Sequence, residues 1–209
     1  MNIEMKKTYF FIFLIIAQNC FSALSDDKFE QALDIAQAAT CVAYKKSKTP
    51  VYRQIYNALK NQREKMHNNE GPLAKKMCHQ EGEVVFAYTY SNTLDWYLCN
   101  NSSDDSLMQL AQTAIHETSH IIKIDRSSDQ KIDECRVRDH ELSILSLATG
   151  FYEDYKYLNK DCAKLTHEGN SDLVDDESMI DFLEDNKSCK IKGGLRFPLF
   201  PLPLIPPVF

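Results

Sequence analysis

The sequence lacks several features that would place it in common classes of protein. None of its 7 cysteines forms a C-x-x-C pair, which excludes zinc ribbons and zinc fingers. Its basic residues are scattered rather than gathered into a stripe, and acidic residues outnumber them by 30 to 24, which argues against nucleic-acid binding. The chain shows no internal repeat and no apolar run of the about 20 residues that a membrane span requires.

The amino terminus has the three parts of a secretory signal. Lys6 and Lys7 precede an apolar run over residues 9–17, and small residues suited to cleavage follow at Ser22 and Ala23. This pattern predicts a signal peptide over residues 1–22, with a retained membrane anchor as the alternative that the shortness of the run disfavours. The mature chain is therefore expected to be secreted or periplasmic, without a membrane span and with a net charge of −7.

The cysteine count changes when this signal is removed. Six cysteines remain, an even number that predicts a disulfide framework in an oxidising compartment, although six cysteines allow 15 pairings. The spacings favour two local pairs and one long-range pair: Cys78–Cys99, Cys162–Cys189 and Cys41–Cys135.

The remaining sequence predicts one domain over residues 23–192. Apolar residues recur at helical spacing in four main segments, whereas β-branched and aromatic residues favour a strand pair over residues 83–90 and 93–99. The helices are expected near residues 27–43, 50–59, 103–123 and 132–158, with a short one after Ser178. The predicted fold class is α+β, mostly helical, with a short β-hairpin or small sheet before the third helix. Residues 193–209 form a proline-rich apolar tail, either disordered or docked on a protein surface.

One motif in the third helix points to metal chemistry. His116-Glu117-Thr118-Ser119-His120 places two imidazoles four residues apart, and residues i and i+4 share a helix face. Both histidines could therefore bind one zinc ion at about 2.0–2.1 Å. Glu117, beside them, is then the candidate general base that takes a proton from an activated water.

A catalytic zinc site needs a third protein ligand. The metzincin pattern is excluded, because Lys123 and Arg126 stand where its glycine and third histidine would fall. Glu134 is the preferred candidate, since it lies in the first turn of the next helix, where helix packing could bring it to the two histidines. The carboxylates left open as alternatives are Asp125, Asp129 and Asp133.

The motif and the strands before it resemble those of the HExxH zinc metallopeptidases, or zincins. Residues 87–150 are partly similar to the aspzincin, or deuterolysin-like, group, on Ala87-Tyr88-Thr89, on Trp96 to Cys99 and on the segment from Thr113 to His120. That resemblance implies a zincin-like fold, a zinc cofactor and an aspartate as third ligand, which here would be Asp129. Only the aspartate of that group's third-ligand segment is present, so Glu134 and Asp129 both stay open.

These features together predict a secreted zinc metallopeptidase and favour an endopeptidase over an exopeptidase. His116, His120 and Glu134 would bind Zn2+, Glu117 would act as general base, and the partner would be a protein or peptide substrate. The alternative is a secreted, disulfide-stapled binding protein with a zincin-like fold and no catalysis.

Overall fold

The computed structural model describes residues 24–79, 85–90, 93–99, 105–122, 130–150 and 174–191. Helices predominate in these ranges, and the strands form one small sheet. The elements are α1 (Asp26–Ser47), α2 (Pro50–Asn61), β1 (Met66–His67), α3 (Ala74–Met77), β2 (Ala87–Tyr90), β3 (Asp95–Leu98), α4 (Leu107–Ile121), α5 (Gln130–Thr149) and α6 (Asp176–Asn186). None of these helices is both long enough and apolar enough to cross a membrane.

Helix α1 is the centre of the helical layer and packs against α2, α4, α5 and α6. Ser25 caps its start by accepting a hydrogen bond from the backbone N–H of Lys28. Small buried side chains recur on one face at helical spacing, and they let the neighbouring helices approach closely. These are Ala32, Ala36, Ala39 and Ala43.

The sheet has the strand order β1-β3-β2, with β1 parallel and β2 antiparallel to β3. Thr89 pairs with Trp96, and Tyr88 pairs with Tyr97. Because side chains alternate across a strand, these two pairs lie on opposite faces. Trp96 is buried against Phe29 of α1, with ring centroids 5.6 Å apart, so its face of the sheet meets the helices.

The other face of the sheet has a second, smaller core around Tyr88 and Tyr97. The Tyr88 hydroxyl donates to the backbone carbonyl of Glu70 at 2.7 Å and accepts from the N–H of Leu73. Gly71 lies so close to Tyr97 that a Cβ there would be 2.3 Å from the ring, and its φ of +64° also favours glycine.

His67 of β1 pairs with Asp95 of β3 at the exposed edge of this second core, 3.1 Å apart. Burial raises the pKa of Asp95, but hydrogen bonds from Thr93 and His67 outweigh it and hold that pKa below its ordinary value. Asp95 is therefore a carboxylate whose ionised form the fold stabilises.

Two disulfides join parts of the fold that are distant in sequence. Cys78–Cys99 ties α3 to the end of β3, as the spacing predicts. Cys41 of α1 bonds to Cys189 beyond α6. The predicted pairs Cys41–Cys135 and Cys162–Cys189 are therefore wrong, and Cys135 is itself disulfide-bonded. The physical reason is that α6 packs directly on α1, which brings Cys189 to Cys41.

The predicted helices and strands are present in the described ranges, with bounds that differ from the expected ones by a few residues. The strand pair is confirmed as β2 and β3, shorter than expected, whereas the two-residue strand β1 was not predicted. Helix α1 is capped by Ser25 rather than opened at Asp27. Helix α5 ends at Thr149, before Gly150 with its φ of +77°, and residues 151–158 of the expected long helix lie outside the described residues. The mostly helical fold with a small sheet is confirmed, whereas its likeness to zincins stays a prediction.

Candidate metal centre

Helix α4 carries the HExxH motif and has a well-defined start. Ser106 and Gln109 form a reciprocal capping box, and Asp176 of α6 accepts a hydrogen bond from the N–H of Leu107 at 2.6 Å. Leu110, Ala114 and other apolar residues of α4 are buried in the core. The helix is thus fixed at its first turn and along its inner face, which sets the positions of the two histidines near its end.

His116, His120 and Glu134 come together between α4 and α5. The Nε2 atoms of His116 and His120 are 3.2 Å apart. The carboxylate of Glu134 presents one oxygen to each histidine, 3.3 Å from His116 Nε2 and 3.4 Å from His120 Nε2. One ligand atom from each of the three residues lies within 4.8 Å of the other two, and the group could hold a metal ion.

The spacing of these ligand atoms suits a small tetrahedral ion. Two atoms that each lie about 2.0–2.1 Å from a tetrahedral zinc ion are about 3.3–3.4 Å apart. The two histidine nitrogens are 3.2 Å apart, and each lies 3.3 or 3.4 Å from its own oxygen of the Glu134 carboxylate. Two imidazoles with one carboxylate also favour zinc or a similar transition metal over calcium or magnesium, which prefer oxygen ligands. The residues present therefore fit zinc.

A buried carboxylate orients the first histidine. His116 Nδ1 donates to Glu141 Oε2 at 2.5 Å, and the Gln112 amide donates to the other oxygen of Glu141 at 2.8 Å. The Glu141 side chain is only 2% exposed, and Arg138 lies 4.0 Å from it. With Nδ1 as the donor, His116 turns Nε2 toward His120 and Glu134, which is the arrangement that a metal-binding histidine needs.

The same contacts shift the pKa values of the group. Burial lowers the pKa of His116, but the attraction of Glu141, helped by Glu134 and Glu117, outweighs burial and raises that pKa well above its usual value. Hydrogen bonds from His116 and His120 hold the pKa of Glu134 well below its usual range. Without metal, the group is therefore a charged hydrogen-bonded cluster, and a metal ion would have to displace a proton from His116.

Glu117 lies beside this group with its carboxylate held by the sheet. Its side chain is buried, and its Oε2 accepts a hydrogen bond from the hydroxyl of Thr89 on β2 at 2.6 Å. Its negative charge also contributes to the raised pKa of His116, which puts the carboxylate within electrostatic reach of that ring. Glu117 is thus next to the metal-binding group without being a member of it.

The other candidates from the sequence fall in different places. Asp133 precedes Glu134 on α5, but it does not belong to the group of three. Two further candidates, Asp125 and Asp129, lie outside the described residues. Asp129 is the ligand that the aspzincin resemblance implies. Among the candidates within the described residues, Glu134 is the one that belongs to the group.

Sequence reasoning missed three residues of the site: Gln112, Glu141 and Thr89. Two of them carry a detectable signal. Gln112 is one turn before His116, and Glu141 is two turns after Glu134, so each shares a helix face with a proposed ligand. Glu141 is also followed by the apolar residues Leu142, Ile144 and Leu145, which indicates a buried carboxylate with a partner. No feature of the sequence around Thr89 marks it as a residue of the site.

The chain's own residues are what indicate its chemistry. No protein-family model, curated protein or solved structure matches this chain.

Proposed function

We propose that this protein is a zinc-dependent metallopeptidase that hydrolyses peptide bonds, with His116, His120 and Glu134 as zinc ligands and Glu117 as general base. The observation that carries the proposal is that His116, His120 and Glu134 each bring one ligand atom to within 4.8 Å of the other two, with the carboxylate of Glu117 beside them. Three protein ligands are the number that a catalytic zinc site uses.

The roles of the residues follow from their positions. A bound zinc ion supplies Lewis-acid activation of a water molecule and of the peptide carbonyl. Glu141 and Gln112 hold His116 in the orientation that binds the ion. Glu117 accepts the proton of the attacking water and returns it to the leaving amine. The histidine side chains are about one-fifth exposed and that of Glu134 about half, so solvent and substrate can reach the ligands.

The test combines metal analysis with one conservative substitution. The purified mature protein is expected to contain one zinc ion per chain. Glu117→Gln keeps the shape of the side chain but cannot accept the proton, so cleavage of an unfolded protein should fall by about 10²–10⁴-fold with zinc retained. Glu184→Gln, on the exposed face of α6, is the matched control and should cleave like the wild type.

Two results would separate the proposal from its alternatives. Bound zinc without Glu117-dependent cleavage of any protein would favour the binding-protein hypothesis. A peptide blocked at both ends distinguishes the two kinds of peptidase, because only an endopeptidase cleaves it. Cleavage of the blocked peptide is the expected outcome.

We also propose that the chain is exported. The disulfides Cys41–Cys189 and Cys78–Cys99 support this, since disulfides persist in oxidising compartments. Amino-terminal sequencing of the mature protein should begin at Ala23, whereas a protein that begins at Met1 and retains residues 1–22 would contradict the signal-peptide hypothesis.

A further inference from the structure

The hydroxyl of Thr89 makes a short hydrogen bond to the carboxylate of Glu117. The 2.6 Å between Thr89 Oγ1 and Glu117 Oε2 lies within the range of about 2.5–2.7 Å for hydroxyl donors to ionised carboxylates. The same hydroxyl is 3.4 Å from the backbone carbonyl of Glu117. Because a threonine hydroxyl has one proton, the shorter contact to the carboxylate takes it.

The sheet, rather than the motif helix, fixes the position of this hydroxyl. Thr89 pairs in register with Trp96, which is buried in the main core. Its neighbour Tyr88 points to the other face and is tied to the Glu70 carbonyl. Both sides of the strand are thus anchored by contacts that do not involve Glu117. Thr89 is therefore a fixed point against which a carboxylate on α4 can be held.

A glutamate in this place needs such an anchor. Its side chain has three rotatable bonds. A carboxylate that rotated about them would leave the position from which it can reach a water molecule. A hydrogen bond to one oxygen restricts that rotation. The side chain then loses its conformational entropy when the protein folds rather than during the reaction.

We propose that Thr89 is a positioning residue of this site: its hydroxyl holds Oε2 of Glu117 and thereby directs Oε1 toward the reacting water. The inference rests on the proposed function, in which Glu117 is the general base. The threonine keeps its own proton throughout. The proton of the water passes to Glu117 and then to the leaving amine.

Two substitutions of Thr89 test the hydroxyl itself. Thr89→Val keeps the shape and removes the donor, so kcat should fall by about 10- to 100-fold with KM nearly unchanged, the loss expected when a hydrogen bond to a charged group is removed. Thr89→Ser keeps the donor and should recover most of kcat. Zinc content should be the same in both, because neither substitution touches His116 or His120.

A matched control removes a buried hydroxyl elsewhere. Thr40 of α1 is fully buried and donates to the carbonyl of Ala36 in its own helix. Thr40→Val should lower the free energy of unfolding about as much as Thr89→Val does, and it should leave kcat at the wild-type value. Wild-type kcat in Thr89→Val, or a Thr89→Ser variant as slow as Thr89→Val, would overturn the positioning role.

Crystal structures of the zinc-loaded wild type and Thr89→Val give a readout that does not depend on activity. The Glu117 carboxylate should be ordered against Thr89 in the wild type and should rotate or become disordered in the variant. An unmoved carboxylate would overturn the inference even if the protein is a peptidase. Absence of Glu117-dependent cleavage in the wild type would instead refute the proposed function, and the two crystal structures would still decide the role of Thr89.

Discussion

Replacing Glu141 with glutamine should weaken zinc binding without removing a ligand. Glutamine keeps the size of the side chain and can still accept the proton of His116 Nδ1 through its amide oxygen. It loses the negative charge, and its amide nitrogen then faces the Gln112 amide, which has to turn over to offer an oxygen. The variant therefore keeps a neutral hydrogen bond where the wild type has a charge-assisted one.

The expected size of the effect follows from this contact. Loss of a hydrogen-bonding partner behind a metal-binding histidine costs about 10- to 100-fold in metal affinity, or about 1.4–2.7 kcal/mol. The contact here is short and almost fully buried, 2.5 Å with Glu141 2% exposed, so solvent cannot replace it. The loss should be measured at a pH above the raised pKa of His116, by competition with a chromogenic zinc chelator.

The pH dependence gives a second, independent check. Glu141 is the strongest of the influences that raise the pKa of His116, and below that pKa zinc must displace a proton. The affinity of the wild type should therefore fall about tenfold per pH unit below the raised pKa, whereas that of Glu141→Gln begins to fall at a lower pH. The ratio of the two affinities should shrink as the pH falls.

Two controls make the result interpretable. Glu184→Gln makes the same chemical change at an exposed position and should leave zinc affinity unaltered. The melting temperature and circular dichroism of Glu141→Gln show whether the variant is folded. A folded Glu141→Gln that keeps wild-type zinc affinity at a pH above the raised pKa of His116 would refute the orienting role of this carboxylate.

Three further predictions concern stability. Zinc at 100 times its Kd should stabilise the fold by about 2.7 kcal/mol and raise Tm by about 5–10 °C in differential scanning fluorimetry, and Glu134→Ala should abolish this rise. Hydrogen bonds hold the pKa of Asp95 below its ordinary value, so ionised Asp95 contributes to the free energy of unfolding at neutral pH, and this contribution is lost as the pH falls through the lowered pKa. Urea unfolding should show Asp95→Asn destabilised at pH 7 and equal to the wild type near pH 2. Replacing Cys41 and Cys189 by serine opens a cross-link between residues 148 apart and should cost about 2–5 kcal/mol in the same assay.

The local sequence determined the elements that carry the site. Helical periodicity places His116 and His120 on one face of α4, and the four-residue spacing alone brings their rings together. Alternation and β-branched content likewise indicated β2 and β3, which the structure pairs as an antiparallel ladder. These features depend only on neighbours in the chain, and so they can be read without knowing the fold.

Tertiary packing decided which residues from other elements meet those histidines. Periodicity shows that Glu134 and Glu141 share a face of α5, but only the packing of α5 on α4 turns that face toward His116. The choice of Thr89 depends on the register of β2 with Trp96 and on the contact of the sheet with α4. The pairing of Cys41 with Cys189 follows from the contact between α1 and α6. Each of these contacts joins segments far apart in sequence, and its geometry is set by how whole faces of helices and sheet fit together rather than by any local spacing.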